Sequence, residues 1–519
     1  MKQKQVEEFG WYLRAGYPYF FISTSEMERT INLLSAVADS DEDKSGNKLY
    51  NSFVWDINGG PVKNENGEPR LPVDYMELLD LIERSPAGSV FFLKNFDWFL
   101  KDEYGKANKS VVTFFQDKYS LFCTADRRKA VVIVTDADFE VVPAAIKKDF
   151  LPMDFDLPGE KEMEVAVDKI IKTASRNPKF EKPDEKVKLR LIDACLGLTI
   201  QQAENALAYC LVSEGRLDPK VIDRIACKEL EKIAGLSYVD YDVPLESVLG
   251  YDNIKRFTLG TINHPNSHGI ILIGPCGTGK TMLTRAIGTA SGRRVLEIEF
   301  AELQGGLVGD NERMVRELIR AVRAKAGSQG VICLVDEIEK GLSGIGGQQS
   351  VSSDSINKRA MGQWLKFMSD PCCNVYFLGT CNDISSIPPE YLRAGRWDTA
   401  PFYVDLPGKD ERKIILDYYK AKHSLNGKKK QNVLSASDTA GWSGAELEAV
   451  CNIAEMMNST LTEAKNFVIP MSVIMKEAIT ELETWRSRTI PASTPVKGTK
   501  VETMDLDRYL DFTKRVEKK

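Results

Sequence analysis

Eight consecutive residues between an apolar run and a helix-forming stretch have the composition of a phosphate-binding loop. The segment reads GPCGTGKT, from Gly274 to Thr281, and it follows the apolar run Ile270 to Ile273. Glycines at this spacing let backbone N–H groups converge on phosphate oxygens, and the following helix N-terminus adds a positive dipole. Lys280 would then reach the β and γ phosphates, and Thr281 would bind Mg²⁺. A chance glycine-rich turn is the alternative, but strand, loop and helix come in the required order.

Two adjacent acids follow a second apolar segment. The run Val331 to Val335 predicts a buried strand that delivers Asp336 and Glu337 to its carboxyl end, where ligands of open parallel sheets bind. Mg²⁺ would compensate the charge of Asp336, and Glu337 would accept a proton from an attacking water. The alternative is a strand that runs into a solvated acidic turn. Because the phosphate loop lies upstream, the acid pair indicates hydrolysis and not binding alone.

A third apolar segment, NVYFLGTCNDI, ends at Asn382, whose neutral amide could orient the water beside the γ phosphate. Further along, Arg393 and Arg396 lie three residues apart, after Pro388 and Pro389. Either arginine taken alone could be a surface ion-pair residue.

The order GPCGTGKT, LVDEIE, GTCND, LRAGRWD and GWSGAELE resembles that of AAA+ ATPases with a second region of homology. By this resemblance Asn382 is sensor 1, and Arg393 and Arg396 are arginine fingers that reach the neighbouring subunit's site. Gly444 and Ala445 stand at the sensor 2 position, and VLGYDNIK, which contains Gly250, matches the loop that flanks adenine. The resemblance implies ATP as substrate, Mg²⁺ as cofactor and assembly into a homo-oligomeric, hexameric ring.

More narrowly, GGLVGDNERMVRELI, EIEKGLSG, IPPEYLRAGRWD and ETWRSRTIPAS are similar to plastid and cyanobacterial AAA proteins first described as a hypothetical chloroplast reading frame. This resemblance runs from the first helix to about residue 493. The site predicted by motif and resemblance has a catalytic set and a nucleotide-binding set, in which Thr281 and Asp336 hold the metal. The catalytic set is Glu337, Asn382, Arg393 and Arg396; the binding set is Gly250, Gly274, Pro275, Cys276, Gly277, Thr278, Gly279, Lys280, Thr281, Asp336, Gly444 and Ala445.

The first half of the chain repeats the pattern of the second half. FDLPGEKE at 155–162 echoes VDLPGKDE at 404–411, and SVFFLKNFDWFL stands where GVICLVDEIEKGL stands in the second half. Matched segments keep the same order and lie between 242 and 249 residues apart. The near-constant spacing indicates a duplication.

The chemistry of the second half is missing from the first. The first strand candidate has no glycine loop and places Glu26 and Glu28 at its turn, while Lys94 and Asn95 replace the acid pair. A carboxylate about 4 Å from a phosphate charge costs about 4 kcal/mol at an effective dielectric near 20, so we expect this turn to reject nucleotide. We interpret the first half as a degenerate AAA-like core kept as a scaffold or docking platform. An unrelated α/β domain with chance similarity is the alternative.

The predicted fold class is α/β, a P-loop AAA+ core with a helical lid, preceded by the degenerate α/β core and its own helical segment. The predicted organisation is a degenerate core at 1–175, a helical lid-like segment at 176–239, an ATPase core at 240–410, a helical lid at 411–489, and a linker with a C-terminal helix at 490–519.

Composition limits the classes of partner and compartment. The 519 residues carry a net charge of −6, which gives no general attraction for nucleic acid. No apolar run approaches the ~18 residues of a membrane span, and the start, MKQKQVEEFG, does not resemble a signal peptide. Ten scattered cysteines without CxxC pairs and three histidines indicate neither a zinc site nor a disulfide framework, so we expect a reducing, cytoplasmic location.

Three functions remain open from the sequence. We favour an ATP-driven remodeller of an unknown protein substrate, with a slowly hydrolysing, nucleotide-switched scaffold close behind. A nucleic-acid-associated ATPase is disfavoured by the acidic composition.

The predicted pore loop, QGGLVGDNE, carries Leu307 and Val308 and no aromatic residue, which weakens the case for threading. The loop SGIGGQQSVSSDS is either a mobile second pore loop or a plain solvated loop.

Overall fold

The computed structural model describes residues 2–42, 48–57, 74–102, 104–178, 180–239, 243–248, 250–299, 302–304, 310–342, 353–370, 374–383, 387, 389–393, 395–423, 425, 434–474 and 476–493. Contacts divide the chain into two compact units, residues 1–169 with 198–205 and residues 170–197 with 206–519. Leu307, Val308, residues 343–352 of the predicted loop at 343–355 and the predicted C-terminal helix lie outside the described residues, and residues 353–355 of that loop begin a helix.

The first unit is built on a five-stranded, all-parallel sheet. Its strands are β1 (Tyr19–Ser23), β2 (Asn51–Trp55), β3 (Ser89–Lys94), β4 (Ala130–Thr135) and β5 (Leu151–Asp154), in the order β2-β3-β4-β1-β5. Strand β3 is buried from Ser89 to Leu93, with Phe91 and Leu93 in one core cluster and Val90 and Phe92 in another. Helices therefore cover both faces, as a continuous apolar strand requires.

The second unit is built on a seven-stranded sheet. Its strands are β6 (Leu236–Val239), β7 (Gly269–Ile273), β8 (Arg294–Ile298), β9 (Val331–Val335), β10 (Val375–Cys381), β11 (Phe402–Tyr403) and β12 (Ile490–Pro491), in the order β12-β11-β7-β10-β9-β8-β6. Within it, β7 to β11 are parallel and take the same relative order as β1 to β5 of the first unit. Alternate residues of β9 enter opposite cores: Val331, Cys333 and Val335 on one face, Ile332 and Leu334 on the other.

Helices connect and cover the strands in both sheets. Their bounds are α1 (Lys2–Ala15), α2 (Met27–Asp39), α3 (Tyr75–Arg84), α4 (Lys109–Phe122), α5 (Ala144–Lys147), α6 (Glu160–Ala174), α7 (Glu185–Cys195), α8 (Ile200–Glu214), α9 (Pro219–Leu230), α10 (Asp252–Thr261), α11 (Lys280–Ser291), α12 (Asp310–Ala326), α13 (Ile338–Leu342), α14 (Ser353–Met368), α15 (Lys409–Lys422), α16 (Gly444–Met456), α17 (Leu461–Ala464), α18 (Met471–Ile474) and α19 (Lys476–Thr484). Among the described residues, no helix is long and apolar enough to span a bilayer.

The predicted helical segment at 176–239 differs from the structure in two respects. Its last residues, Leu236–Val239, form β6, which pairs antiparallel with β8 at the edge of the second sheet. Most of the segment also belongs to the second unit. Partly buried ion pairs join its helices to this unit, since Arg294 at the start of β8 pairs with Asp193 of α7 and Asp223 of α9 at 2.5 and 2.9 Å.

The predicted linker also begins later than residue 490. Ile490 and Pro491 form β12, which pairs in parallel with β11. Proline is compatible with a strand at a sheet edge, where its missing N–H leaves no ladder bond unmade. Ala492 is buried, so residues 490–493 belong to the second unit.

Candidate functional site

The predicted phosphate loop lies between β7 and α11, and its glycines are required by the backbone. Gly277 and Gly279 have φ values of +75° and +90°, which L side chains rarely adopt. A Cβ atom on Gly277 would also lie 2.9 Å from Ser443 Oγ, just before α16. The backbone of the phosphate loop therefore lies close to the residue before α16, and the absence of side chains at its glycines would also let a ligand approach it closely.

Lys280 is buried at the first position of α11 and points back over its own loop. Its Nζ donates to the carbonyl oxygens of Gly274 and Pro275 and to Oδ1 of Asn382, each at 2.9 Å. Burial lowers the pKa of Lys280, and nearby acids including Asp336 partly offset that effect. A phosphate anion would offer this ammonium group a stronger, charged acceptor.

Thr281 and Asp336 face each other across the loop. Thr281 Oγ1 lies 3.3 Å from Asp336 Oδ2, and Thr380 Oγ1 donates to Asp336 Oδ1. Among the described residues, no group of three or more His, Cys, Asp or Glu side chains could hold a metal by itself. A hydroxyl and one carboxylate fit Mg²⁺, because this ion completes its shell with water and substrate phosphates.

Glu337 follows β9 in a left-handed backbone conformation, with φ at 48°. Its backbone N–H donates to Thr380 Oγ1 at 2.9 Å, and Asn382 Nδ2 donates to its Oε1 at 3.1 Å. Lys340, one turn further along, forms an ion pair with Glu337 Oε2. The carboxylate is therefore oriented from two sides at the mouth of the phosphate loop.

Three further residues support this arrangement and were not singled out from the sequence. Glu339 is buried and accepts the backbone N–H of Asn382 at 3.0 Å. Thr380 donates to the Asp336 carboxylate and accepts from the Glu337 backbone N–H, and Lys340 pairs with the Glu337 carboxylate. Thr380 stands two residues before Asn382 in the quoted GTCND motif, which is the only signal in the sequence that could have indicated it.

The loop opens into a cavity of about 650 Å³. Its lining joins the predicted phosphate loop and acid pair to Gly250, Gly444 and Ala445. The N–H of Ala445 donates to the carbonyl of Gly277 at 3.1 Å, so the start of α16 rests on the phosphate loop. The structure thus brings the predicted nucleotide-binding residues to one cavity, except Gly274 and Pro275, whose carbonyl oxygens accept from Lys280 behind its lining.

Arg393 and Arg396 lie elsewhere in the second unit. They follow a short 3₁₀ segment at Pro389–Leu392, and neither is among the described residues that line the cavity. Arg393 is exposed and Arg396 is half-buried. Within one subunit, the structure does not bring these arginines to the site.

At the corresponding edge of the first sheet, charged side chains pair with each other. Lys94, at the end of β3, pairs with Glu28 at 3.2 Å. Glu26 accepts from Arg29 Nη1 and from the backbone N–H of Ile200, both at 2.5 Å. Acidic side chains stand where the second unit has its glycine loop, and a lysine stands where it has Asp336.

The repeated phrase near the end of each core forms the same hydrogen bond in both units. Glu162 Oε2 accepts the N–H of Gly159 at 3.0 Å, and Glu411 Oε2 accepts the N–H of Gly408 at 2.7 Å. Each bond satisfies a free backbone donor at the start of a helix, α6 or α15. The repeated sequence segment therefore has the same structural role in both units, which is to begin a helix, and this role does not require nucleotide binding.

A parallel sheet of this order, with a phosphate loop after β7, an acid pair after β9 and a polar amide after β10, defines a P-loop nucleotide-binding unit of the AAA type. Residues 270–402 match the family described as "ATPase family associated with various cellular activities (AAA)". Residues 5–155 match the N-terminal domain of SpoVK-like AAA ATPases, and residues 161–228 match the second domain of the same proteins. The chain belongs to the AAA ATPase family.

Full-length relatives carry the same family assignment. The chain is 24% identical to the uncharacterized AAA domain-containing protein ycf46 of Trieres chinensis, over 92% of this chain and 95% of that protein. It is 25% identical to the ycf46 protein of Pyropia yezoensis, over 91% and 96% of the two chains. A proteasome-activating nucleotidase of Sulfurisphaera tokodaii is 32% identical over 36% of this chain and 46% of that protein.

Proposed function

We propose that this protein is an ATP-hydrolysing AAA+ ring ATPase that remodels a protein substrate or complex. The observation that carries the proposal is the hydrogen bond from Asn382 to Glu337 at 3.1 Å, beside a phosphate loop and a Thr281–Asp336 pair. A site for nucleotide binding alone would need the phosphate loop and the Thr281–Asp336 pair that would hold Mg²⁺. It would not need a second carboxylate oriented by an amide.

Each residue has a distinct part in the proposed reaction. Backbone N–H groups of the phosphate loop and the Lys280 ammonium group bind the phosphates of ATP. Thr281 and Asp336 would hold Mg²⁺, which neutralises charge developing on the phosphate oxygens. Asn382 positions the attacking water, and Glu337 accepts its proton at a carboxylate oxygen. Glu339 bonds the backbone of Asn382, and Thr380 bonds the Asp336 carboxylate and the backbone of Glu337, so these two residues fix the positions of the three.

Arg393 and Arg396 are proposed to act on the site of a neighbouring subunit. They lie outside the cavity of their own subunit, which supports this assignment. Arginine fingers contribute about 10³ to 10⁵ in rate, so an isolated subunit would be slow. Hydrolysis would then depend on a ring, for which we propose six subunits.

The first unit is proposed to be a scaffold or docking platform. It shares the strand order of the second sheet, and its paired charges take the place of a nucleotide site. The proteasome-activating nucleotidase, by its name, acts on a protein complex, and this favours a protein target over nucleic acid for the present chain. Eight free cysteines among the described residues fit action in a reducing cytoplasm.

The target class is tested by measuring ATP turnover of the purified full chain with additives. We expect a permanently unfolded protein, such as reduced and alkylated lactalbumin, to stimulate turnover, and single-stranded DNA at the same mass concentration to have no effect. Stimulation by the DNA alone would contradict the proposal.

A nucleotide-switched scaffold is the second candidate. The ion pair between Lys340 and Glu337 favours it, because this pair engages the proposed base and would slow turnover. Assembly on ATP with turnover that neither additive changes would select this function over remodelling.

A further inference from the structure

After α19 the chain returns to the second sheet, where it adds the edge strand β12 and reaches the candidate nucleotide cavity. Ile490 N–H donates to the carbonyl of Pro401, and Ala492 N–H donates to the carbonyl of Tyr403, both at 2.9 Å. These bonds fix β12 beside β11. Pro491, Ala492 and Ser493 consequently line the cavity.

The returning segment is bonded to Tyr251 and Asn253, on either side of the first residue of α10. Ser493 Oγ accepts the backbone N–H of Tyr251 at 2.9 Å. Asn253, which is 7% exposed, donates from Nδ2 to the carbonyl of Pro491 at 3.0 Å, and its N–H donates to the carbonyl of Ala492 at 3.1 Å. Three hydrogen bonds therefore join segments that are about 240 residues apart in sequence.

Tyr251 is also bonded to the phosphate loop. The Tyr251 hydroxyl donates to the carbonyl of Thr278. Tyr251 has a left-handed backbone, with φ at 61°, a conformation that a bulky residue rarely adopts without support. The bond from its N–H to Ser493 supplies such support. A continuous series of hydrogen bonds thus runs from β12 through Tyr251 to the phosphate loop.

We propose that residues 490–493 are a clamp on the nucleotide site, and that Ser493, Asn253 and Tyr251 are positioning residues for nucleotide binding. The clamp holds residues 250–253 against the phosphate loop, so that the cavity is formed before nucleotide enters. This proposal rests on the proposed function, because it assigns a role to residues around the same cavity. It extends the candidate site to a segment that follows the helices α15 to α19.

Clamp docking and nucleotide binding should favour each other. If the docked clamp improves nucleotide affinity, bound nucleotide must stabilise the docked clamp by the same factor.

The clamp is tested by titrating the full-length protein with ADP in the presence of Mg²⁺ in a calorimeter. Ser493→Ala removes the acceptor of the Tyr251 N–H, and Tyr251→Phe removes the donor to Thr278 while keeping the ring. Each should raise the Kd for ADP about fivefold, the effect expected for one hydrogen bond. Ser493→Thr keeps the hydroxyl and should restore wild-type affinity.

A matched control is Ser369→Ala, which removes a serine hydroxyl that donates to Leu365 O at 2.9 Å at the end of α14. It should leave the Kd unchanged, even where it lowers the melting temperature. Wild-type affinity in both Ser493→Ala and Tyr251→Phe would overturn the clamp and leave the proposed function standing. If the wild-type chain fails to bind ADP, the proposed function and the clamp are overturned together.

Discussion

Asn95 and Glu337 each follow the third strand of five parallel strands in the same order, and both have left-handed backbones, with φ at 56° and 48°. The Asn95 N–H donates to the Val134 carbonyl, and the Glu337 N–H donates to Thr380 Oγ1, both at 2.9 Å. Asparagine tolerates this conformation more readily than glutamate does. The turn is therefore common to both units, while only one side chain can act as a base.

Each chain should bind one nucleotide. Lys280→Ala removes a buried ammonium group that would contact phosphate, so ATP affinity should fall about 10- to 100-fold. Equilibrium dialysis with ADP should give one site per wild-type chain. Lys94→Ala, in the first unit, is the matched lysine control and should leave binding unchanged. A stoichiometry of two would contradict the loss of the first site.

Thr281→Ala should weaken metal binding more than nucleotide binding. The change removes the hydroxyl that lies 3.3 Å from Asp336, so the Mg²⁺ concentration for half-maximal turnover should rise about tenfold. Thr261→Ala, which removes a hydroxyl bonded to Phe257 O on α10, serves as the control. An unchanged Mg²⁺ dependence would remove Thr281 from the metal site.

Arg396→Ala and Arg393→Ala should each lower turnover steeply, by up to about 10³- to 10⁵-fold, with ATP binding retained. Mixing Arg396→Ala chains with Lys280→Ala chains should recover activity, because some interfaces then join an intact phosphate loop to an intact arginine. Arg216→Ala changes an exposed surface arginine and should behave as wild type. Mixtures no more active than the sum of their parts would contradict action between subunits.

Lys325 gives the stability of the second unit a pH dependence. It is fully buried, donates to the carbonyl of Ala194 at 3.0 Å and lies 3.6 Å from Asp223. Burial, with Arg294 nearby, lowers its pKa, so the unfolded chain binds more protons between that lowered value and about 10.5. Stability contributed by this group therefore rises with pH in that window.

The expected result is that the wild-type chain gains stability relative to Lys325→Met as the pH rises toward about 10.5, as measured by the denaturant midpoint. Lys220→Met, an exposed lysine on α9, should run parallel to wild type. Parallel curves for Lys325→Met as well would contradict the assigned shift.

The sequence predicted the relative placement of candidate site residues where the rule is local. The glycine loop, the acid pair and Asn382 each follow an apolar strand, and parallel strands bring their carboxyl ends to one edge of the sheet. This rule alone places Lys280, Asp336 and Asn382 together, as the structure has them. The AAA family assignment expected from the motifs is confirmed by the match over residues 270–402.

Contacts between segments that are far apart in the chain could not be predicted from local sequence patterns. β12 has two residues, and its partner Phe402–Tyr403 lies far away in sequence, so proline at 491 indicated a linker. β6 likewise depends on pairing with β8. Glu339 contacts Asn382 only because α13 begins beside β10, and no local spacing encodes that contact.

If the second unit hydrolyses ATP with Glu337 as its base, Glu337→Gln should separate ATP binding from turnover. The substitution keeps the shape of the side chain and one oxygen that can accept from Asn382, and it removes the negative charge that pairs with Lys340 together with the basicity. We expect ATP affinity close to that of wild type and turnover reduced by at least about 10²-fold. Glu317→Gln, on the surface of α12, should retain full turnover. Full turnover by Glu337→Gln, with ATP bound normally, would rule out Glu337 as the base.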